Sequence, residues 1–208
     1  ACLEREDARD VFISRKAGSI AELPQGATLG TTAPRRQAIA KRARPDLRIV
    51  PLRGNVETRL RKFDDGEVDA TILAIAGLKR LGLAERATKI MSAEEFVPAA
   101  GQGAIGIETR QDDTRTRELL ARIDHADTST AVACERAFLA ELDGTCKTPI
   151  AGHAILSGGM LQFRGLIAKP DGSAAHETAA AGGRDNAIAI GADAGRALRQ
   201  SAGPGFFD

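Results

Sequence analysis

Between residues 10 and 98, short apolar runs alternate with helical stretches, and no other feature constrains the fold as much. VFISR (11–15), ATLGT (27–31), RIVPL (48–52) and DATILAI (69–75) are bounded by Gly, Pro or Asp and predict strands. Between them PRRQAIAKRA (34–43) and NVETRLRKF (55–63) predict helices, with Pro34 suited to a first helical position and Asn55 to an N-cap. Strand–helix–strand alternation implies a sheet covered by helices through right-handed crossovers. Its ligand crevice is expected at the carboxyl ends of the strands.

Beyond residue 98 the pattern changes. PAAGQGAIGIETR (98–110) is Gly-rich and then strand-like, and TRTRELLARID (114–124) predicts a helix. From about Thr128 to Leu142, Ala131, Cys134, Phe138 and Leu142 form one apolar helical stripe, which marks Cys134 as a core residue. IAGHAIL, MLQFRGLIA and HETAAA then predict strands, with turns at Ser157-Gly158-Gly159 and Pro170-Asp171-Gly172 and a closing helix over 184–200. This describes an α/β domain followed by a small α+β domain, which suits a chain of 208 residues.

Charge excludes some functions. With 29 Lys+Arg against 28 Asp+Glu, the chain does not hold nucleic acid or an anionic membrane by bulk charge, and the lack of Trp and Tyr argues against base stacking. Any attraction for anions must be local. Cys2, Cys134 and Cys146 are too far apart for a zinc site or a disulfide framework, and no metal is expected. No stretch of about 18 apolar residues suggests a membrane span. A reducing, cytoplasmic setting is the default expectation.

Local cation signals occur at two strand-to-helix junctions. In LGTTAPRRQ (29–37), Thr31 and Thr32 precede a helix whose first turn carries Arg35 and Arg36. Two cations in a first turn oppose the helix dipole and call for an offset, which a bound anion supplies; the bland alternative is an ordinary cap with solvated arginines. PLRGNVETRLRK (51–62) repeats the arrangement with Arg53 and Arg59, or else presents a solvated face. Lys79 and Arg80 follow another strand, a third and weaker signal, because charged residues after a strand are common. The three histidines, His125, His153 and His176, show no ligand spacing and read as surface or loop residues. Cys146 lies in ELDGTCKTPIAG (141–152), after a helix-ending Gly and before a Pro, where a loop would expose its sulfur.

GTTAPRRQ, LRGNVETRL, ILAIAGLKRLGL, PAAGQGAIGIETR and ERAFLAELDGTCKTPIAG, in this order, resemble the porphobilinogen deaminase (hydroxymethylbilane synthase) family of tetrapyrrole and heme biosynthesis. The resemblance covers about residues 1–170. It implies a first domain ending by residue 9, a type II periplasmic-binding-protein-like α/β domain over 10–98, a segment returning to the first domain over 99–124, and a small α+β domain over 125–208. It further implies that Cys146 holds a dipyrromethane cofactor by a thioether, and that four porphobilinogen units are added to this primer with loss of ammonia before hydrolysis. Thr31, Thr32, Arg35, Arg36, Arg53, Arg59 and Gln102 match cofactor-binding positions, and Arg80 a further arginine of the cleft.

The family's usual Thr-Ser-Ser-Leu-Arg-Arg reads Thr-Thr-Ala-Pro-Arg-Arg here, so one hydroxyl contact at Ala33 is lost or taken over by backbone. The resemblance also places the catalytic aspartate in an upstream third, outside these 208 residues. No residue present is assigned as catalytic; Asp10 and Asp64 read as turn or cap residues. The expectation is a fragment that is inactive and largely without cofactor. Its parent is a monomer, and the fragment is expected to self-associate through an apolar surface at 104–123. Two other readings remain: a non-catalytic small-anion-binding module, and a thiol hydrolase using Cys146 and His153.

Overall fold

The computed structural model describes residues 1–145 and 147–207. Its first unit is a five-stranded sheet of β1 (Asp10–Ser14), β2 (Thr28–Gly30), β3 (Arg48–Val50), β4 (Ala70–Ala74) and β5 (Lys89–Ile90), in the order β3-β2-β4-β1-β5. β2 runs parallel to both β3 and β4, whereas β1 is antiparallel to β4 and β5. The crossovers are α1 (Pro34–Ala43) and α2 (Val56–Asp64). Asn55 caps α2 by accepting the Thr58 amide at 2.9 Å. α1 has no side-chain cap, because Ala33 stands at that position.

The apolar run after β4 does not stay extended: Ile75–Arg80 form helix α3. A continuous ATILAIAGL carries no period that separates a buried strand from a buried helix, and Ala74 offers no capping side chain to mark the change. The strand-like reading of 104–110 is also corrected. There the chain makes only an isolated bridge, Cys2 to Gly106, before α4 (Thr114–Ala121). Its Gly-rich backbone instead serves the N-terminal segment: Leu3 and Glu6 amides donate to the Ile105 and Gly103 carbonyls at 3.1 and 3.0 Å.

The second unit is an antiparallel meander of β6 (Ile150–Ser157), β7 (Met160–Ala168) and β8 (Ala175–Gly183), with α5 (Ala126–Glu141) and α6 (Ala187–Ala202) packed together against it. Phe138, Leu161, Phe163, Ile167 and Cys134 fill its core. Burial, with Glu135 beside it, pushes the Cys134 thiol up to about 12, so it acts as an inert apolar group.

The two units share a core. Ala151, Leu166 and Ala168 of the second sheet pack with Phe12, Leu29, Ala38 and Ile39 of the first. At the rim, the Gln37 side-chain amide donates to the Pro170 carbonyl at 3.1 Å and Arg42 pairs with Glu177. This seam brings the start of α1 close to the end of α5.

Candidate functional site: a cation-lined cleft

α1 begins at the carboxyl end of β2, so its first turn projects past the sheet edge. The Thr31 amide donates to the Val50 carbonyl at 3.0 Å, and its hydroxyl accepts the Ala33 amide at 3.2 Å. Thr31 is therefore buried and committed to local structure, while Thr32 is exposed. The Thr31 hydroxyl engages the Ala33 backbone directly at this departure from the family pattern.

Arg35 and Arg36 are buried, at 5% and 8% exposure, so they are not the solvated arginines of the bland reading. Their offset is already present, and it is a side chain. Asp10, fully buried at the start of β1, lies 2.7 Å from Arg35 Nη2 and 2.8 Å from Arg36 Nη2. This corrects the reading of Asp10 as a turn or cap residue. Tertiary folding carries a carboxylate 25 residues upstream of Arg35 beneath the first turn of α1, where it meets two cations that would otherwise be buried unpaired. Asp64 ends α2 and pairs on the surface with Arg15 and Arg86.

Arg35 has further anchors: Nη1 donates to the Val97 carbonyl at 2.7 Å and Nη2 to Gln102 Oε1 at 3.2 Å, with its guanidinium over the Phe96 ring. Burial lowers its pKa, with Asp10 opposing and Arg36 adding to the shift. Gln102 also donates to the Ala8 carbonyl at 2.6 Å. Ala33, Arg35, Arg36, Gln102 and Thr145 face one another around a cleft of about 420 Å³. Thr145 precedes Cys146, and Cys146 itself lies outside the described residues.

Arg59 stands at the neighbouring junction, donating to the Gly54 carbonyl at 2.7 Å. Burial and the charge of Arg36 lower its pKa, so its charge acts on the same region. Arg53 is exposed beside it. Neither makes an ion pair among the described residues. Arg80 is not brought to this cleft; it lines a separate cavity with Glu6, Gly77 and Ile105, where Lys79 pairs with Glu6 at 2.8 Å. Among the described residues no cluster of three or more His, Cys, Asp or Glu side chains is placed to hold a metal.

Sequence reading missed two groups here. Asp10 gave no local signal, and neither did Glu135, a completely buried carboxylate bound by Arg5 at 2.6 Å and by the Gly101 and Ala154 amides at 2.6 and 2.8 Å. The histidine reading fits His125, a loop residue that caps α5, but needs correction for the other two: His153 lies within β6, and His176 lies within β8 and packs edge-on to Phe206. Burial, and then the charge of Arg5, draws the His153 pKa down to about 4, which makes it a weak base for any thiol chemistry.

The His153 shift predicts a pH effect. Between the usual histidine value near 6.5 and about 4, the unfolded chain binds a proton that the folded chain refuses, so stability falls as pH drops through that window. The full loss is on the order of 3 kcal/mol. Thermal melts from pH 7 to 4 are expected to show His153→Gln gaining on the wild type as pH falls; parallel curves would contradict the assignment.

A mixed sheet fused to an antiparallel meander, with arginines gathered at its strand-to-helix junctions, defines an α/β protein with a cationic cleft at the sheet edge. Comparison with known proteins narrows this class. Residues 1–118 match the family model described as porphobilinogen deaminase, dipyromethane cofactor binding domain, and residues 129–200 match porphobilinogen deaminase, C-terminal domain. Over 207 residues the chain is 55% identical to a porphobilinogen deaminase of Nitrobacter winogradskyi and 54% to one of Nitrobacter hamburgensis. Each alignment covers 100% of this chain and 66% of the relative. The chain belongs to the porphobilinogen deaminase family.

Proposed function

We propose that this chain supplies the cofactor cleft of a porphobilinogen deaminase, the transferase of tetrapyrrole biosynthesis that condenses four porphobilinogen molecules and releases hydroxymethylbilane. The observation that carries this reading is the facing of Arg35, Arg36 and Gln102 with Thr145, one residue from Cys146, across a single cleft in a chain of this family.

The residues fit an acidic pyrrole cofactor. Arg53 and Arg59 have no counter-ion among the described residues, so their donors remain for acetate and propionate groups, and Arg35 Nε is buried without a hydrogen-bond partner. A dipyrromethane joined to Cys146 would supply the nucleophilic pyrrole carbon. Arg35 and Arg36 would hold its carboxylates, Arg53 and Arg59 those of incoming units, with Gln102 orienting Arg35 and Thr32 offering an exposed hydroxyl. Arg80, which lines a separate cavity, would meet substrate only outside this cleft. On this reading residues 10–98 are a periplasmic-binding-protein-like domain, 125–208 the domain that carries Cys146, and 1–9 with 99–124 the connections to a further domain. The whole enzyme is then a cytoplasmic monomer. No helix among the described residues is long and apolar enough to cross a membrane. Ile105, Leu119 and Ile123 are 46%, 53% and 51% exposed, and the chain by itself is expected to self-associate through them.

The test is release of ammonia from porphobilinogen, with intact mass as the second readout. The chain alone is expected to release none. Extended upstream to the length of its relatives, it is expected to turn over porphobilinogen and to carry a dipyrromethane adduct that Cys146→Ser abolishes. An extended chain that binds porphobilinogen but liberates no ammonia would favour the non-catalytic anion-binding module instead.

A further inference from the structure

We propose that Asp10 is a positioning residue: a resident counter-ion that sets Arg35 and Arg36 as a preformed fork and cancels one of their two charges, leaving this junction ready for a single ligand carboxylate. The proposal rests on the cleft being a carboxylate site and adds which group sets its geometry and capacity.

Asp10 is 0% exposed, and it is shared unequally. Oδ1 accepts from Arg36 Nε at 3.0 Å and lies 2.8 Å from Arg36 Nη2, so this arginine is gripped from two nitrogens. Oδ2 lies 2.7 Å from Arg35 Nη2, yet it has no aligned hydrogen bond, and neither has Arg35 Nε. These two are the buried side-chain polar atoms left without a hydrogen bond among the described residues, and both belong to this cluster. Arg35 is thus fixed in place by the Val97 carbonyl and Gln102, with its unpaired Nε buried behind the cleft that the residue lines.

Electrostatics explains the need for it. Two adjacent guanidiniums in a helix's first turn repel each other and the helix dipole, and burial deprives them of water. Without Asp10 the fork carries two buried positive charges and must take a small anion from solution, which a ligand would then have to displace. With Asp10 the net charge is one. A ligand carboxylate then meets arranged donors with no competing ion, and a second carboxylate at the same fork is disfavoured.

Porphobilinogen binding to the chain, measured by calorimetry at low and high chloride, tests this. Asp10→Asn keeps the shape and removes the charge. It is expected to steepen the chloride dependence, so that affinity falls about tenfold more than in the wild type, and to make thermal stability rise with chloride more than the wild type's does. Equal chloride dependence in a folded variant would overturn the proposal and leave Asp10 a purely structural ion pair. Should Asp10→Asn fail to fold, Asp10→Glu retains charge and displaces it; about tenfold weaker binding with the wild-type chloride dependence is expected, and unchanged affinity would be the contrary result. If the wild type does not bind porphobilinogen at all, the carboxylate-site reading fails, while the chloride effect on melting still reports whether Asp10 is the fork's counter-ion.

Discussion

Glu135→Ala is expected to lower stability by about 3–5 kcal/mol, enough to unfold much of the population of a protein of ordinary stability. Glu135 has no exposed surface, and its carboxylate joins three separate segments. Arg5 Nη1 and Nη2 reach its oxygens at 2.6 and 3.2 Å, Gly101 donates at 2.6 Å, and Ala154 of β6 donates at 2.8 Å. Burial pushes the Glu135 carboxyl up, while Arg5 and the two amides pull against that shift. Removing the carboxylate strands a guanidinium that is 11% exposed, together with two amides turned toward it. Chemical denaturation would measure the loss. Replacing the pair, Arg5→Met with Glu135→Leu, should cost less than Glu135→Ala alone, because no charge is then left behind. A double variant as unstable as the sum of both singles would contradict the pairing.

Gly191→Val should be nearly as damaging, by about 2–4 kcal/mol, through overpacking. α6 lies directly on α5 by presenting glycine where the backbones meet. A Cβ at Gly191 would fall well inside contact distance of the Cys134 carbonyl, and one at Gly195 would lie 2.8 Å from the Phe138 carbonyl and 2.7 Å from Glu141 Cβ. The obstacles are mostly backbone, so the helices must separate. That movement would also pull Arg199 from the Glu141 carbonyl, 2.9 Å away at the end of α5, just before Thr145. The variant should therefore combine a lowered melting temperature with less of the adduct proposed at Cys146 in the extended protein. A variant melting within a degree or two of the wild type would show that the helices do not pack this closely.

Neither group was visible locally. Glu135 follows Cys134 on a helix whose apolar stripe was legible, yet as a charged residue it reads as solvent-facing; its partners lie 130 positions upstream at Arg5, in the loop at Gly101 and on β6 at Ala154. Gly191 reads as a weak helix residue until α5 is placed against it. The strands and helices between residues 10 and 98 were legible because apolar spacing, Pro34 and Asn55 act on their own neighbours. α3 was not, since its start carries neither period nor cap.

The sequence by itself determined the alternation that builds the first sheet, the meander and two helices of the second unit, the family, and the arginines that make the cleft cationic. These depend on local periodicity, on turn residues and on motifs read in order. Only the tertiary structure decided the state of those arginines. It placed Asp10 between Arg35 and Arg36 and Gln102 beside them, and it separated Arg80 from the group. Charge pairing acts through space at about 3 Å, and the residues it joins are set by how sheets and helices pack.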